Sequence, residues 1–410
     1  MAAREARRLS PRLRWQHLVT LALLVGACAV AEVAYRRQKN HVQAPHSQPN
    51  IDFASQPSVV EALRGYPKVR PPLYPLVLWT GTQGLGMKKK LVNETLFDLT
   101  ILLFYLAQRR SSPELPAVYP LALYALFHPS YVNLAQYSPE VLFVLVSLTL
   151  YLALDRYQHG EGRAALLASA ALGALLTATR YFGVFFLVPL LALRIGWHGT
   201  LPWRQRVLRL CGVLLVALLP VGVWMGVAWS ETGYLSGMDR FGPRTLPIGA
   251  RRWLQMTSLG WNLELGGKTL LVDFFSPDQY ASHWVVHHTY DLASVETGLL
   301  VLLGVVVTLA VRVAWATRDR PPAAAAVLSA ELPLVYLASL LAVWSIGNND
   351  PLFTGFLYPS YPFLLLWGFA VYARVRSRSW RERLPFQTFY VGLVVVQGSR
   401  DVIAPLLPLH

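Results

Sequence analysis

Long apolar runs, separated by short polar stretches rich in arginine, dominate the pattern of hydrophobic and polar positions in this chain. Most runs come close to the roughly 20 residues that a helix needs to cross a hydrocarbon core about 30 Å thick. The pattern predicts an all-α polytopic membrane protein, a helical bundle of about 11 spans in a single transmembrane domain, 1–410. The runs are 17–35, 91–108, 115–131, 139–154, 164–179, 181–195, 206–229, 295–316, 323–346, 355–373 and 386–407.

Two long polar stretches, 36–90 and 230–294, interrupt this series. Inside the first, the apolar segment 71–86 has three prolines near its start and three glycines near its end, so its status as a span is ambiguous. If this segment does not cross, the later arginine-rich stretches share one side with the arginine-rich N-terminus. Because cytoplasmic loops carry the excess Lys and Arg, we expect a re-entrant or interfacial helix here. The N-terminus is then cytoplasmic, and both polar stretches are large extracytoplasmic loops.

Composition supports membrane insertion and argues against a nucleic-acid partner. The chain is 54% hydrophobic and only 14% charged, whereas a soluble domain carries about 25% charged residues. The net charge of +15 comes from arginines clustered between apolar runs, which is typical of cytoplasmic loops and not of a nucleic-acid surface. Cys28 and Cys211 each lie inside an apolar run, so we expect packing residues and no disulfide. A secondary transporter stays an alternative, although the sequence shows no inverted repeat.

Two polar clusters are candidates for chemistry on residue type alone. Glu94 and Asp98 lie one helical turn apart within an apolar run, where a carboxylate is either functional or buried in a hydrogen bond to a neighbouring helix. His283, His287 and His288 have helical spacing, but no cysteine or clear acidic third ligand accompanies them. We therefore predict an interfacial helix around these histidines and no metal ligands.

Four short motifs follow one another in the chain, and the span count places all four on the extracytoplasmic side. The first runs from Asn50 to Pro75 and contains an acidic residue, a Gly-Tyr-Pro and a closing Pro-Pro-Leu-Tyr-Pro. The others are Tyr-Ser-Pro-Glu-Val-Leu-Phe at 137–143, Thr-Ala-Thr-Arg-Tyr-Phe-Gly at 177–183 and Leu-Tyr-Pro-Ser-Tyr-Pro at 357–362. Together, over about 50–370, they resemble the GT-C glycosyltransferases, and within these the protein mannosyltransferase and aminoarabinose transferase group.

This resemblance implies a GT-C-type helical bundle that transfers a sugar, with inversion, from a polyprenyl-phosphate donor to an acceptor at the extracytoplasmic membrane face. The implied partners are a polyprenyl-phosphate-linked sugar and membrane lipids; the sequence does not identify the sugar or the acceptor. Some GT-C enzymes use a divalent cation and others do not, so no cofactor is required and a divalent cation stays open. The implied location is the bacterial inner membrane, with the endoplasmic reticulum as the alternative.

The same resemblance assigns roles to individual residues. Asp52 falls at the acidic position and is the expected catalytic base for the acceptor hydroxyl. Arg180 is the leading candidate for stabilising the departing lipid phosphate, which needs cationic partners. Further expected phosphate-binding residues are Arg244, Arg251, Arg252, Lys68 and Arg70, with Lys268 as an assistant. Other polar candidates for the active site are Glu140, Tyr137, Asn133, Tyr74, Asp98 and Tyr361.

Structural explanations compete with these roles. Asp52 could be a solvated loop acid or a helix N-cap, Glu140 could serve the dipole of its own helix, and Arg180 could anchor in the headgroups. Phe53 stands where many relatives have a second acidic residue, and Gly355-Phe356 replaces a late arginine and tyrosine. A catalytically inactive GT-C-like protein that binds polyprenyl lipids is therefore the second hypothesis.

Overall fold

The computed structural model describes mainly residues 48–235, together with parts of the chain after residue 327. The described residues are 48–113, 115–116, 118–125, 134, 137–159, 162–197, 201–235, 328, 331–336, 338–339, 358–375 and several positions between 380 and 391. All regular elements among these residues are helical. The apolar runs 17–35, 295–316 and most of 386–407 lie outside the described residues.

Four long helices form the centre of the described structure: α4 (Lys89–Ser111), α6 (Pro139–Gln158), α7 (Gly162–Thr179) and α9 (Trp203–Thr232). Helix α8 (Phe182–Leu191) continues as a π-helical segment, Ala192–Trp197. Local sequence explains several of the boundaries. Pro139 occupies the first turn of α6, where the missing N–H is not needed, and Gly233 ends α9 with a φ of +76°.

Helix α6 lies at the centre of the packing, between α4 and α7, while α9 packs on the other side of α7. The buried side chains of α6 include Phe143 and Tyr151, and they belong to one continuous hydrophobic core. Helix α10 (Tyr361–Val375) packs against α4 and α5 (Val118–Ala125). We call the end of the bundle where α4 and α6 begin and α7 ends the outer end, and the opposite one the inner end.

Three of the described helices, α4, α7 and α9, are long and apolar enough to cross a membrane. Helix α9 exposes much of its apolar surface, including Leu208, Leu215 and Leu219. The apolar runs predicted at 91–108, 164–179 and 206–229 correspond to these three helices. The full count of about 11 spans stays a prediction, because many of the other runs fall outside the described residues.

Three short helices lie at the outer end: α1 (Gln48–Ser55), α2 (Val59–Gly65) and α3 (Leu73–Trp79), with a π-helical extension of α3, Thr80–Gly84. Helix α3 and its extension would reach only roughly 18 Å, which is short of a bilayer core. Tyr74 and Leu78 on α3 are fully buried. The expectation of a re-entrant or interfacial helix stays a prediction, since the helix length alone does not locate a membrane.

Candidate active site

A partly buried ion pair joins two helix ends at the outer end of the bundle. An Arg180 Nη1 donates to Glu140 Oε1, and Ser138 Oγ donates to the other oxygen of the same carboxylate. The side chains of Arg180 and Glu140 are 18% and 9% exposed. Glu140 lies in the first turn of α6, and Arg180 directly follows the last residue of α7. Each charge therefore interacts favourably with the dipole of its own helix, the anion at an N-terminus and the cation at a C-terminus.

The turn that presents Arg180 depends on a glycine. Gly183 N donates to Arg180 O over 2.9 Å and closes the turn between α7 and α8. A Cβ at Gly183 would lie 2.8 Å from Leu176 O and 3.1 Å from the Thr177 Cα, which are backbone atoms with little freedom to move. This close approach explains why the motif at 177–183 ends in glycine.

A buried amide connects α1 to the start of α6. Asn50 Nδ2 donates to Tyr137 O over 2.9 Å, and Tyr66 Oη donates to Asn50 Oδ1 over 3.0 Å. Tyr137 has a φ of +47°, the left-handed region that residues with a side chain rarely adopt. Such a conformation costs about 1–2 kcal/mol and persists only where the surroundings fix it. Asn50 therefore binds the carbonyl of a strained residue, Tyr137, which lies directly before Ser138 and three residues before Glu140.

A second buried amide joins α3, α4 and residue 134. Tyr74 Oη donates to Asn93 Oδ1 over 3.0 Å, and Asn93 Nδ2 donates to Leu134 O. Tyr74 and Asn93 are both almost fully buried. The predicted active-site residue Tyr74 is thus one member of a hydrogen-bond network among the helices at the outer end.

The predicted base, Asp52, lies on the exposed face of α1. Its Oδ1 accepts a hydrogen bond from Gln48 Nε2 over 2.6 Å, one helical turn away. Asp52 also lines an open groove, and the described residues of this groove all lie between Pro49 and Pro67. Glu140 and Arg180 are not among them. This groove therefore includes Asp52 but not Arg180.

Lys68 has a structural role in the described residues. Its ammonium is close to three backbone carbonyls, Leu63 O at 2.9 Å, Tyr66 O at 3.2 Å and Arg64 O at 3.3 Å. These carbonyls lie at the C-terminal end of α2, where a cation is favourable. The same ammonium lies 3.5 Å from Glu231 Oε2. Three acceptors match the three donors of an ammonium group, so this geometry competes with binding of a donor phosphate.

The loop around Lys68 also contacts Tyr181, the residue that follows Arg180. Tyr181 Oη donates to Lys68 O over 2.8 Å, and Trp224 Nε1 on α9 donates to Arg70 O over 2.9 Å. Lys68 Nζ lies 5.1 Å from the centre of the Trp224 ring, within the range of a cation–π contact. The loop that carries Lys68 and Arg70 thus contacts Tyr181, the residue that follows Arg180, and also contacts α9.

Burial keeps the phenols of the outer end neutral. Desolvation raises the pKa of Tyr66 to about 12, although the Arg70 guanidinium acts in the opposite direction. Desolvation likewise raises the pKa of Tyr74 and of Tyr137. Tyr66 and Tyr74 therefore remain hydrogen-bond donors to Asn50 and Asn93 even at a pH near 10, where an exposed phenol begins to ionise.

The remaining predicted site residues divide into two groups. Tyr361 is buried in the core, where its ring stacks on Tyr124 with centroids 6.5 Å apart, and Asp98 is exposed on α4. Within the described part of the chain, no three His, Cys, Asp or Glu side chains form a group that could hold a metal. The residues named in the sequence analysis that lie outside the described part of the chain are Asn133, Arg244, Arg251, Arg252, Lys268, His283, His287 and His288.

Several polar residues of the outer end escaped the sequence analysis, above all Asn50, Asn93 and Trp224. Asn93 occupies an apolar run, and a polar side chain within a span is costly unless it has a partner. That signal could have identified Asn93. Asn50 and Trp224 carry no comparable signal, since their partners are backbone carbonyls far along the chain.

No protein-family model matches the chain, and no curated protein matches it. Among solved structures, the chain is similar to ArnT from Cupriavidus metallidurans, in a crystal structure bound to undecaprenyl phosphate. The similarity has a TM-score of 0.52 at 16% sequence identity and covers 92% of this chain. It covers 63% of ArnT, so the chain spans less than two thirds of that protein's length. The GT-C-type fold predicted from the four motifs is confirmed.

Proposed function

We propose that this protein is an inverting membrane glycosyltransferase that takes its sugar from a polyprenyl-phosphate donor at the outer end of the bundle. The observation that carries the proposal is the similarity, over 92% of the chain, to an ArnT structure that contains undecaprenyl phosphate. The partly exposed Arg180 at the outer end supports it, because a lipid phosphate at the membrane surface needs such a cation.

In the proposed reaction, the acceptor hydroxyl oxygen attacks the anomeric carbon of the donor sugar from the face opposite the phosphate. Asp52 takes the proton of that hydroxyl. The bond between the anomeric carbon and the phosphate oxygen breaks, and its electron pair leaves with the lipid phosphate. A single displacement of this kind inverts the anomeric configuration.

Arg180 has the proposed role of stabilising the charge that grows on the departing phosphate. A guanidinium has five N–H donors and binds carboxylates and phosphates with the same fork geometry. The phosphate would therefore compete with Glu140 for Arg180. Arg70 lies on the neighbouring loop, and Arg244, Arg251 and Arg252 are the predicted partners from the second long loop. Lys68 is left out of the proposed site, because its ammonium is used at the end of α2.

A catalytically inactive protein that binds polyprenyl phosphate is the second candidate, and two observations favour it. Asp52 is exposed and hydrogen-bonded to Gln48. Phe53, at the position where many relatives have a second acid, is buried and packs edge-on against Tyr66 at 5.4 Å. A binding protein would keep Arg180 and the fold but would not need Asp52.

Transfer from defined donors separates the two candidates. Membranes that contain the protein are supplied with undecaprenyl-phosphate hexoses and pentoses carrying a radiolabelled sugar, and released sugar and labelled acceptor are measured. We expect Asp52→Asn to lower transfer by about 10²–10⁴-fold, as loss of a general base does. Glu231→Gln is the matched control, since it makes the same change at an exposed carboxylate on α9. Wild-type activity in Asp52→Asn would rule out the assigned base.

A further inference from the structure

Asn50 lies on the face of α1 that is turned away from Asp52. Asn50, Phe53 and Ala54 are buried, whereas Gln48, Asp52 and Ser55 are exposed. Asn50 is only 1% exposed. A buried primary amide is costly unless its donors and acceptor are used, so its presence on a short surface helix needs a reason.

The two hydrogen bonds of Asn50 connect three separate parts of the outer end. The amide nitrogen reaches Tyr137 O, and the amide oxygen accepts from Tyr66, which follows α2. Tyr137 is three residues before Glu140, and Glu140 binds Arg180. A short path of contacts therefore runs from the helix of the proposed base to the proposed phosphate-binding arginine.

Other contacts hold the C-terminal half of α1 independently of Asn50. Ala54 O accepts from Thr82 Oγ1 at 3.0 Å and from Gln83 Nε2 at 3.1 Å. Lys89 Nζ donates to Ile51 O over 3.2 Å. These bonds attach α1 to the α3 extension and to the start of α4, whereas Asn50 provides the hydrogen bond to the start of α6. Loss of Asn50 should therefore change the position of α1 without detaching it.

We propose that Asn50 is a positioning residue for the transfer reaction: its amide fixes α1, and with it Asp52, relative to the start of α6 and the Glu140–Arg180 pair. This inference rests on the proposed function. The left-handed Tyr137 supports it, because Asn50 binds the carbonyl of this strained residue two positions before α6 begins. Asn50 itself does not touch the reacting atoms.

The kinetic test compares Asn50→Leu with Tyr66→Phe. The first variant removes the bond to Tyr137 O, while the second keeps that bond and removes only the phenol bond to Asn50. We expect Asn50→Leu to lower kcat by about 100-fold, the effect of a small misplacement of a catalytic group. Its KM for the undecaprenyl-phosphate sugar should stay within about twofold of wild type, because the arginine pair is intact. Tyr66→Phe should lower kcat much less.

Asn50→Asp adds a rescue that depends on pH. An ionised aspartate cannot donate to Tyr137 O, whereas a protonated one can. The kcat of Asn50→Asp relative to wild type should therefore rise as pH falls, and the ratio cancels any pH dependence that the two enzymes share. A ratio that does not change with pH contradicts the role of the donated hydrogen bond.

A distance measurement keeps the inference testable without activity. Spin labels are placed at Gln48 on α1 and at Thr95 on α4, both exposed, with Cys28 and Cys211 replaced by serine. We expect the distance distribution to broaden or shift in Asn50→Leu and to stay unchanged in Tyr66→Phe. An unchanged distribution in Asn50→Leu, or an unchanged kcat, overturns the inference. If the wild type transfers no sugar from any donor, the proposed function fails and the catalytic role of Asn50 fails with it, whatever the distances show.

Discussion

Two ion pairs lie at opposite ends of the bundle, and they differ in burial and in surroundings. At the inner end, Arg194 Nε lies 2.5 Å from Glu331 Oε2, and Arg194 is 2% exposed. Arg194 belongs to the π-helical segment after α8, so the pair joins this segment to residues 331–336. At the outer end, Arg180 is partly exposed and pairs with Glu140 between two helix termini.

The two ends of the bundle also differ in the groups that lie near each ion pair. At the inner end, the buried Asp155 lies 3.9 Å from Arg110 Nη1, and its backbone oxygen is 2.8 Å from His159 Nδ1. The outer end has short helices, a left-handed Tyr137 and an exposed carboxylate, Asp52. Burial thus indicates a structural role for Arg194, whereas partial exposure leaves Arg180 accessible to a second anion.

The largest effect on stability is expected from Arg194→Leu. Removing one partner of a buried pair leaves the other charge uncompensated, which costs about 3–5 kcal/mol. Thermal unfolding of the purified protein in detergent should show a large fall in Tm. Arg204→Leu is the control, since Arg204 is an exposed arginine on the same side of the bundle. A Tm equal to that of the control would contradict a structural role for Arg194.

At the outer end, Gly183→Ala is expected to lower stability most after Arg194→Leu. The new Cβ would press on the backbone of Leu176 and Thr177, and overpacking of this kind costs about 1–3 kcal/mol. Because Gly183 closes the turn of Arg180, binding of undecaprenyl phosphate should weaken as well. Gly222→Ala on α9, where a Cβ meets nothing within 4 Å, should leave Tm and binding unchanged or raise Tm slightly. If Tm and binding are the same in the two variants, close approach of the backbone does not explain the glycine at position 183.

Tyr66→Phe should have a smaller effect, and that effect should depend on pH. At neutral pH the loss of the bond to Asn50 should cost about 0.5–1.5 kcal/mol. Because the pKa of Tyr66 is raised to about 12, the unfolded state ionises first as pH rises above the ordinary value near 10. The stabilisation from Tyr66 is therefore complete below pH 10 and is lost as pH approaches 12. The difference in Tm between wild type and Tyr66→Phe should shrink over this range; a constant difference contradicts the burial of a neutral phenol.

Glu231→Gln should have the smallest effect. Its side chain is 52% exposed, and its partner Lys68 keeps three backbone carbonyls without it. Because the Glu231 carboxylate is half-exposed to solvent, the pair contributes roughly 1 kcal/mol or less, and Tm should fall by little. Raising the salt concentration should remove most of the remaining difference between the variant and wild type. A large fall in Tm would show that Glu231 fixes the loop around Lys68.

Much of the fold follows from sequence because the helix signals are local. Hydrophobic runs identified α4, α7 and α9, Pro139 and Glu140 fit the start of α6, and Gly183 marks a turn. The site is harder to predict, because its contacts join distant positions. Asn50 meets the backbone of Tyr137, and the face of α1 on which Asp52 lies depends on the packing of Phe53 and Ala54.

In the proposed function, Arg180 holds the phosphate of a polyprenyl lipid, and Glu140 competes with that phosphate for Arg180. The most direct measurement is the affinity of the purified protein for undecaprenyl phosphate, with Tm measured on the same samples. We predict that Arg180→Gln weakens binding by at least about tenfold, or roughly 1.4 kcal/mol, while Glu140→Gln strengthens it and Arg204→Gln leaves it unchanged. If Arg180→Gln and Glu140→Gln both leave the affinity at the wild-type value, the phosphate does not bind at this pair and the account is wrong.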